Sequence, residues 1–109
     1  MIRTLYFSTA RSQVDRAEVD RIVVHAREKN RRLGVTGALA FNGRNFCQLL
    51  EGERDVVLDL MRVIEADPRH AGFKVLDQKE ISTAHFPDWS MQLVNDLDFS
   101  AVINAMRDD

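Results

Sequence analysis

An α+β sandwich is the fold class this sequence predicts, on three observations. Residues 2 to 8 alternate with a period of two. Two later stretches, about 15–30 and 53–67, place apolar residues at i, i+3, i+4 and i+7, and an Asn42-Gly43 dipeptide separates two extended runs. Together they give the order βαββαββ followed by a short C-terminal helix. This is the ferredoxin-like plan with an added strand: a mixed five-stranded sheet with two helices on one face.

Each element has its own signal. The first strand puts Thr4, Tyr6 and Ser8 on one face and Arg3, Leu5 and Phe7 on the other. Asp15 and Glu18 stand at capping-box spacing, and the helix they open carries Val19, Ile22, Val23, Ala26 and Asn30 on its core-facing stripe. Beyond Gly34, Val35 to Phe41 and Asn45 to Glu51 form a hairpin about Asn42-Gly43, and Gly52 ends it. A second helix runs from about Glu53 to Asp67, with Val57, Leu60, Met61 and Ile64 on its stripe and Asp67 continuing that face. After Pro68, residues 73–80 read as a strand, Phe86-Pro87-Asp88 as a turn and Trp89 to Val94 as the last strand. Phe99, Val102, Ile103 and Met106 then recur at helical spacing. Leu5, Phe7, Cys47 and Leu49 point away from the two long helices, so a second apolar face needs cover from the C-terminal helix, a second copy of the chain or both.

Composition narrows the function classes. The 109 residues hold 15 Lys plus Arg against 17 Asp plus Glu, a near-neutral balance that disfavours nucleic-acid binding through bulk charge. With 45% hydrophobic residues the chain can bury one core, so disorder is excluded. Cys47, the single cysteine, cannot close an intramolecular disulfide or build a structural zinc site. No apolar run reaches the ~20 residues of a membrane span and the start carries no signal-peptide pattern, so a cytoplasmic domain is expected. His25, His70 and His85 lack metal-ligand spacing, and no glycine-rich phosphate loop or nucleophile elbow occurs, so an enzyme is not expected.

Four polar residues break the core pattern. Tyr6, Asn30, Gln48 and Asp67 project into the compartment between sheet and helices, where an unpaired amide or phenol costs a few kcal/mol. They can pair with one another and with loop backbone, or they can meet a planar polar ligand pressed between Ile22 and Ile64. A basic cluster lies at the helix ends: Lys29, Arg31 and Arg32 after the first, Arg69 and His70 after the second. Such cations complement the helix dipoles. The alternative is that both ends open on one rim, where they hold the phosphates of a nucleotide-bearing ligand. Trp89 and Met91, at i and i+2 on the last strand, share a face and by spacing alone are core filling.

The blocks Leu33-Gly34-Val35-Thr36-Gly37-Ala38-Leu39, Phe46-Cys47-Gln48-Leu49-Leu50-Glu51-Gly52, Asp67-Pro68-Arg69-His70 and Phe86-Pro87-Asp88-Trp89-Ser90-Met91 resemble the BLUF domains, blue-light sensors using FAD. The resemblance runs over about residues 2–94 with the blocks in the family's order. It implies a flavin ring between the two helices, Tyr6 as the photoactive tyrosine and Gln48 as the glutamine bridging it to the flavin. It further implies Asn30 on the ring's pyrimidine edge, Lys29 beside it, Ile22 and Ile64 against the ring, and Asp67, Arg69 and His70 at its edge. Electron and proton transfer from Tyr6 in the light would then rearrange the hydrogen bonds of Gln48 and signal through Trp89 or Met91. On this reading residues 1–96 are the photosensor and 97–109 a helical extension. The expected partners are a second copy of the chain and an unidentified effector. Two other readings remain open at this stage: a cofactor-free ferredoxin-like enzyme using the slot for substrate, and a dimerisation module.

Overall fold

The computed structural model describes residues 1–11, 14–86, 90–93 and 99–106. Trp89 and the Pro87-Asp88 turn lie outside these residues. Strand β1 (Ile2–Ala10) is central and pairs antiparallel with both β3 (Asn45–Gly52) and β4 (His70–Glu80). Its partner β3 also pairs antiparallel with β2 (Thr36–Phe41), giving the order β4-β1-β3-β2. A two-residue strand, β5 (Gln92–Leu93), runs parallel to β2 at Ala38 and Leu39. The sequence expected a longer last strand from Trp89; Ser90 and Met91 instead form a bend whose carbonyls are held by side chains of the first helix rather than by a neighbouring strand.

Helix α1 (Arg16–Leu33) starts where the capping spacing places it: the Asp15 side chain accepts from the Glu18 amide at 2.9 Å. It ends at Gly34, whose φ of 70° a side chain would strain. Helix α2 (Arg54–Glu65) buries Val57, Leu60 and Met61. The hairpin turn uses Gly43 at φ 93°, with the Asn42 carboxamide accepting from the Arg44 and Asn45 amides. Between β2 and β3 a Cβ on Gly37 would sit 2.1 Å from the Leu49 carbonyl oxygen, so only glycine allows this approach.

Two cores follow from the alternation. On one face Tyr6, Leu39, Phe46 and Leu50 pack with Val19, Val23, Val57, Leu60, Met61 and Met91 under α1 and α2. On the other, Leu5, Ala38, Ala40, Cys47 and Leu49 are covered by Val102, Ala105 and Met106 of α3 (Ser100–Ala105 and the residue after it), with Phe7, Phe86 and Phe99 around them. One short helix and three aromatic rings thus close the face that in sequence argued for a second copy; Cys47 and Leu49 are 0% exposed.

Candidate functional site

The site begins with register. Tyr6 on β1 lies directly opposite Gln48 on β3, so both side chains leave the sheet on the helix side. The pairing of β1 with β4 shifts register between Leu5 and Tyr6 and again between Phe7 and Thr9, the second shift containing Gly72 at φ 64°. These bulges bracket Tyr6, the position at which such irregularities re-aim a side chain. Phe73 of β4 packs against the phenol ring, with centroids 4.6 Å apart.

Tyr6 donates its hydroxyl proton to Gln48 Oε1, and Gln48 Nε2 points to the sulfur of Met91 at 3.3 Å. Burial is the main force that pushes the Tyr6 phenol well above its usual pKa, with Cys47 and Asp67 adding to it, so the phenol is neutral. Met91 is held in place by its neighbours' backbone: Asn30 Nδ2 donates to the Ser90 carbonyl at 2.8 Å and Arg27 Nε to the Met91 carbonyl at 3.0 Å. Among the described residues no buried side-chain nitrogen or oxygen lacks a partner, so the polar residues that broke the core pattern do satisfy one another and the loop.

They also line a cavity. A space of about 190 Å³ between the helices is bounded by Tyr6, Ile22, Lys29, Asn30, Gln48, Ile64, Asp67, Arg69 and His70, every cavity residue expected from sequence. Met91 reaches it through Gln48. Sequence reasoning missed His25, Ala26, Leu39, Phe46, Leu60 and Val63 on the same walls. Ala26, Leu39, Phe46 and Leu60 were legible only as core, and His25 had a signal in its spacing of i+3 from Ile22. Arg27 had none, because its role depends on where a residue 64 positions away folds back.

One expectation is corrected. The two helix ends do not share a rim, because Arg69 at the end of α2 reaches Glu18 in the first turn of α1 at 3.1 Å, whereas Arg31 and Arg32 pair with Glu28 at the other end. The helices are antiparallel. Arg69 is further occupied by a forked contact to Asp67, which holds the Asp67 carboxyl below its usual range. His70 is likewise committed: Nε2 faces the Ile64 carbonyl, which can only accept, so Nε2 carries the proton and Nδ1 meets Ser8 Oγ at 2.7 Å. The arrangement is apolar on the two helix walls and polar along one edge, the make-up of a site for a flat, edge-polar ligand. At about 190 Å³ it is smaller than the ~300–1,000 Å³ of a drug-sized pocket, so it has room for a ring system rather than a whole dinucleotide.

Fold and site together define a small α+β domain with an inter-helix cavity set against a hydrogen-bonded tyrosine–glutamine pair. The chain belongs to the BLUF family, the sensors of blue light using FAD, whose family model matches residues 1–92. BlrB, a BLUF protein solved in its dark state, superposes with a TM-score of 0.84 at 36% identity, over 97% of this chain and 81% of that one. The blue light- and temperature-regulated antirepressor BluF of Escherichia coli strain K12 is 41% identical over 71 residues, 64% of this chain and 18% of that protein. The photoactivated adenylate cyclase subunit beta of Euglena longa is 30% identical over 87 residues, 79% of this chain and 10% of that protein. The chain thus spans a fifth or less of those two relatives. The α+β class and the photosensory family expected from the sequence hold. Among the described residues no helix is long and apolar enough to cross a membrane.

Proposed function

We propose that this domain is a blue-light photoreceptor that holds FAD non-covalently with the flavin ring in the inter-helix cavity. The observation that carries the reading is the chain of contacts from Tyr6 through Gln48 to Met91, set on the cavity wall of a BLUF-family fold. The donor set fits the cofactor: Ile22 and Ile64 offer aliphatic faces, and Asn30, Gln48 and Tyr6 offer an amide-and-phenol edge, with Lys29, Asp67, Arg69 and His70 flanking it. Bound FAD supplies blue-light absorption and, once excited, a strong oxidant for a nearby phenol.

The chain's own residues supply the rest. Tyr6 keeps its proton in the dark because burial disfavours the phenolate, and it points that proton at Gln48 Oε1. Loss of an electron from the phenol lets the proton leave along this bond, and its return restores the neutral pair. Gln48 presents an acceptor to Tyr6 and a donor to Met91. Turning the amide exchanges them, so Met91 then faces a carbonyl oxygen that offers its sulfur no donor. The Ser90–Met91 bend is the element so biased, and Trp89 beside it belongs to the same output segment. On this reading residues 1–96 form the sensor of a cytoplasmic protein on the βαββαββ plan, 97–109 an extension whose Phe99, Val102, Ala105 and Met106 pack on the far face, and the output lies in a further domain or a partner. A homodimer through the second face and the C-terminal helix stays part of the reading: α3 covers that face and itself leaves Ile103 39% exposed.

The test is the visible spectrum of the purified, FAD-reconstituted protein before and after a blue flash. A flavin spectrum that shifts red and recovers in the dark is expected; a colourless protein that takes up no FAD, or a bound flavin that does not shift, overturns the reading.

A further inference from the structure

The segment after β4 visits both faces of the sheet. Phe86 packs in the far-face core under α3, whereas Met91 is buried in the core under α1 and α2, so these two residues lie on opposite faces. Its later end is fixed by Asn30 and Arg27. Its earlier end is fixed by a buried carboxylate that the photochemistry does not use. Glu51 Oε2 accepts from Arg3 Nε at 2.9 Å and from the His85 amide at 2.7 Å. Glu51 Oε1 accepts from the Phe86 amide at 2.9 Å and from Thr36 Oγ1 at 3.4 Å. Arg3 also reaches the Thr83 carbonyl at 3.5 Å. Both side chains of the ion pair are 0% exposed.

A carboxylate has about four acceptor sites, and here all four are taken, two of them by successive backbone amides of the crossing segment. A buried ion pair is a weak source of net stability compared with an apolar pair of the same volume, whereas the directed hydrogen bonds it makes fix a geometry. We infer that Glu51 is a positioning residue for the output step: it anchors the far-face end of the segment whose other end, Met91, responds to Gln48. This rests on the photoreceptor reading. Glu51 and Gln48 are three residues apart on one strand and face opposite ways, so β3 supplies both the trigger and the fixed point against which the segment rearranges.

Glu51→Gln tests it cleanly. An amide can still accept from Arg3 and His85, but its NH2 group then faces the Phe86 amide, donor against donor, and the anchor at Phe86 is lost. In the FAD-loaded protein we expect an unchanged dark spectrum and flash-induced shift, a recovery in the dark at least fivefold faster, and an altered light-induced change in the fluorescence of Trp89, the single tryptophan. The double variant Arg3→Met with Glu51→Leu removes the anchor while refilling the volume, and the same acceleration is expected there. Leu49→Ala, a far-face change that removes none of the Glu51 hydrogen bonds, is expected to lower the melting temperature and leave recovery within twofold of wild type. Recovery within twofold of wild type in both anchor variants overturns the inference, as does an equal acceleration in Leu49→Ala. A wild type that shows no shift overturns the photoreceptor reading instead.

Discussion

The two faces of the central strands are built from alternate residues of the same nine- and eight-residue segments, yet they are opposites. On the helix side, Tyr6 opposite Gln48 leaves a cavity of about 190 Å³ and a hydrogen-bond chain that the proposed relay rearranges. On the far side, Leu5 opposite Leu49 and Phe7 opposite Cys47 pack against α3 into an apolar layer, with the Arg3–Glu51 pair fastening a loop. A one-residue change of face thus separates the surface that adjusts in the proposed relay from one that holds the sheet together. The helix face holds the larger apolar cluster, yet the walls around its polar groups leave a space of about 190 Å³ unfilled.

The largest effect that would break this contrast is on the adjustable face. Tyr6→Phe removes the proton that Gln48 accepts, and Gln48→Leu removes the acceptor; each is expected to bind FAD and to lose the flash-induced shift entirely. Absorption spectra before and after a flash check this, and a normal shift in either variant ends the proposed relay. On the closed face the expected damage is of another kind. Leu49→Ala opens a hole in a fully buried layer and is expected to cost about 2–5 kcal/mol, with the shift intact. Urea unfolding read beside the flash spectrum separates the two outcomes, and loss of the shift in Leu49→Ala would erase the division between faces.

How much of this was legible in the sequence follows the same division. The period-two pattern of β1 and the 3.6-residue stripes of the helices are local, and they placed Tyr6, Ile22, Asn30, Gln48 and Ile64 correctly around one compartment. Closure of the far face was not legible in full. It depends on α3 and Phe86 returning to Leu5 and Leu49, and no local pattern reports the reach of a distant helix. The basic rim failed for a related reason: helix direction is set by the strand pairing, β1 and β2 each running antiparallel to β3, and the Arg69–Glu18 contact agrees that the ends of α1 and α2 point apart. The last strand was overread, because the alternation of Trp89 and Met91 suits a strand while Asn30 and Arg27 bend the backbone at Ser90 and Met91.

Alkaline titration sharpens the contrast by about one to three kcal/mol. Burial pushes the Cys47 thiol on the far face up to about 11 and drives the Tyr6 phenol on the helix face higher still. For both groups the folded state holds its proton more tightly than the unfolded chain. Their stabilisation is therefore complete below the unfolded pKa and is lost as pH rises, at about 1.4 kcal/mol per pH unit and per group. Cys47 contributes its loss between about pH 9 and 11, and Tyr6 from about pH 10 upward. Unfolding free energies from pH 8 to 11 are expected to fall less steeply in Cys47→Ala from pH 9 and in Tyr6→Phe only above pH 10. Identical slopes in wild type and both variants would mean that neither face excludes water as the burial implies.

The smallest expected effect lies at the cavity's edge, where the acid limb tests the Asp67–Arg69 contact. Arg69 lowers the Asp67 carboxyl pKa, so the stabilisation is present above the unfolded value near 3.8 and is lost as pH falls through the lower folded value. The pair is partly open to solvent, with side-chain exposures of 38% and 27%, so screening keeps its contribution to about 1 kcal/mol or less. Asp67→Asn is therefore expected to be at most slightly less stable than wild type at pH 6, with the difference shrinking as the pH is lowered to 3. Chemical unfolding of the FAD-free protein at the two pH values checks this. A variant deficit that persists undiminished at pH 3 would show that Asp67 acts through packing or backbone geometry, and the polar edge of the cavity would then share the rigidity of the far face.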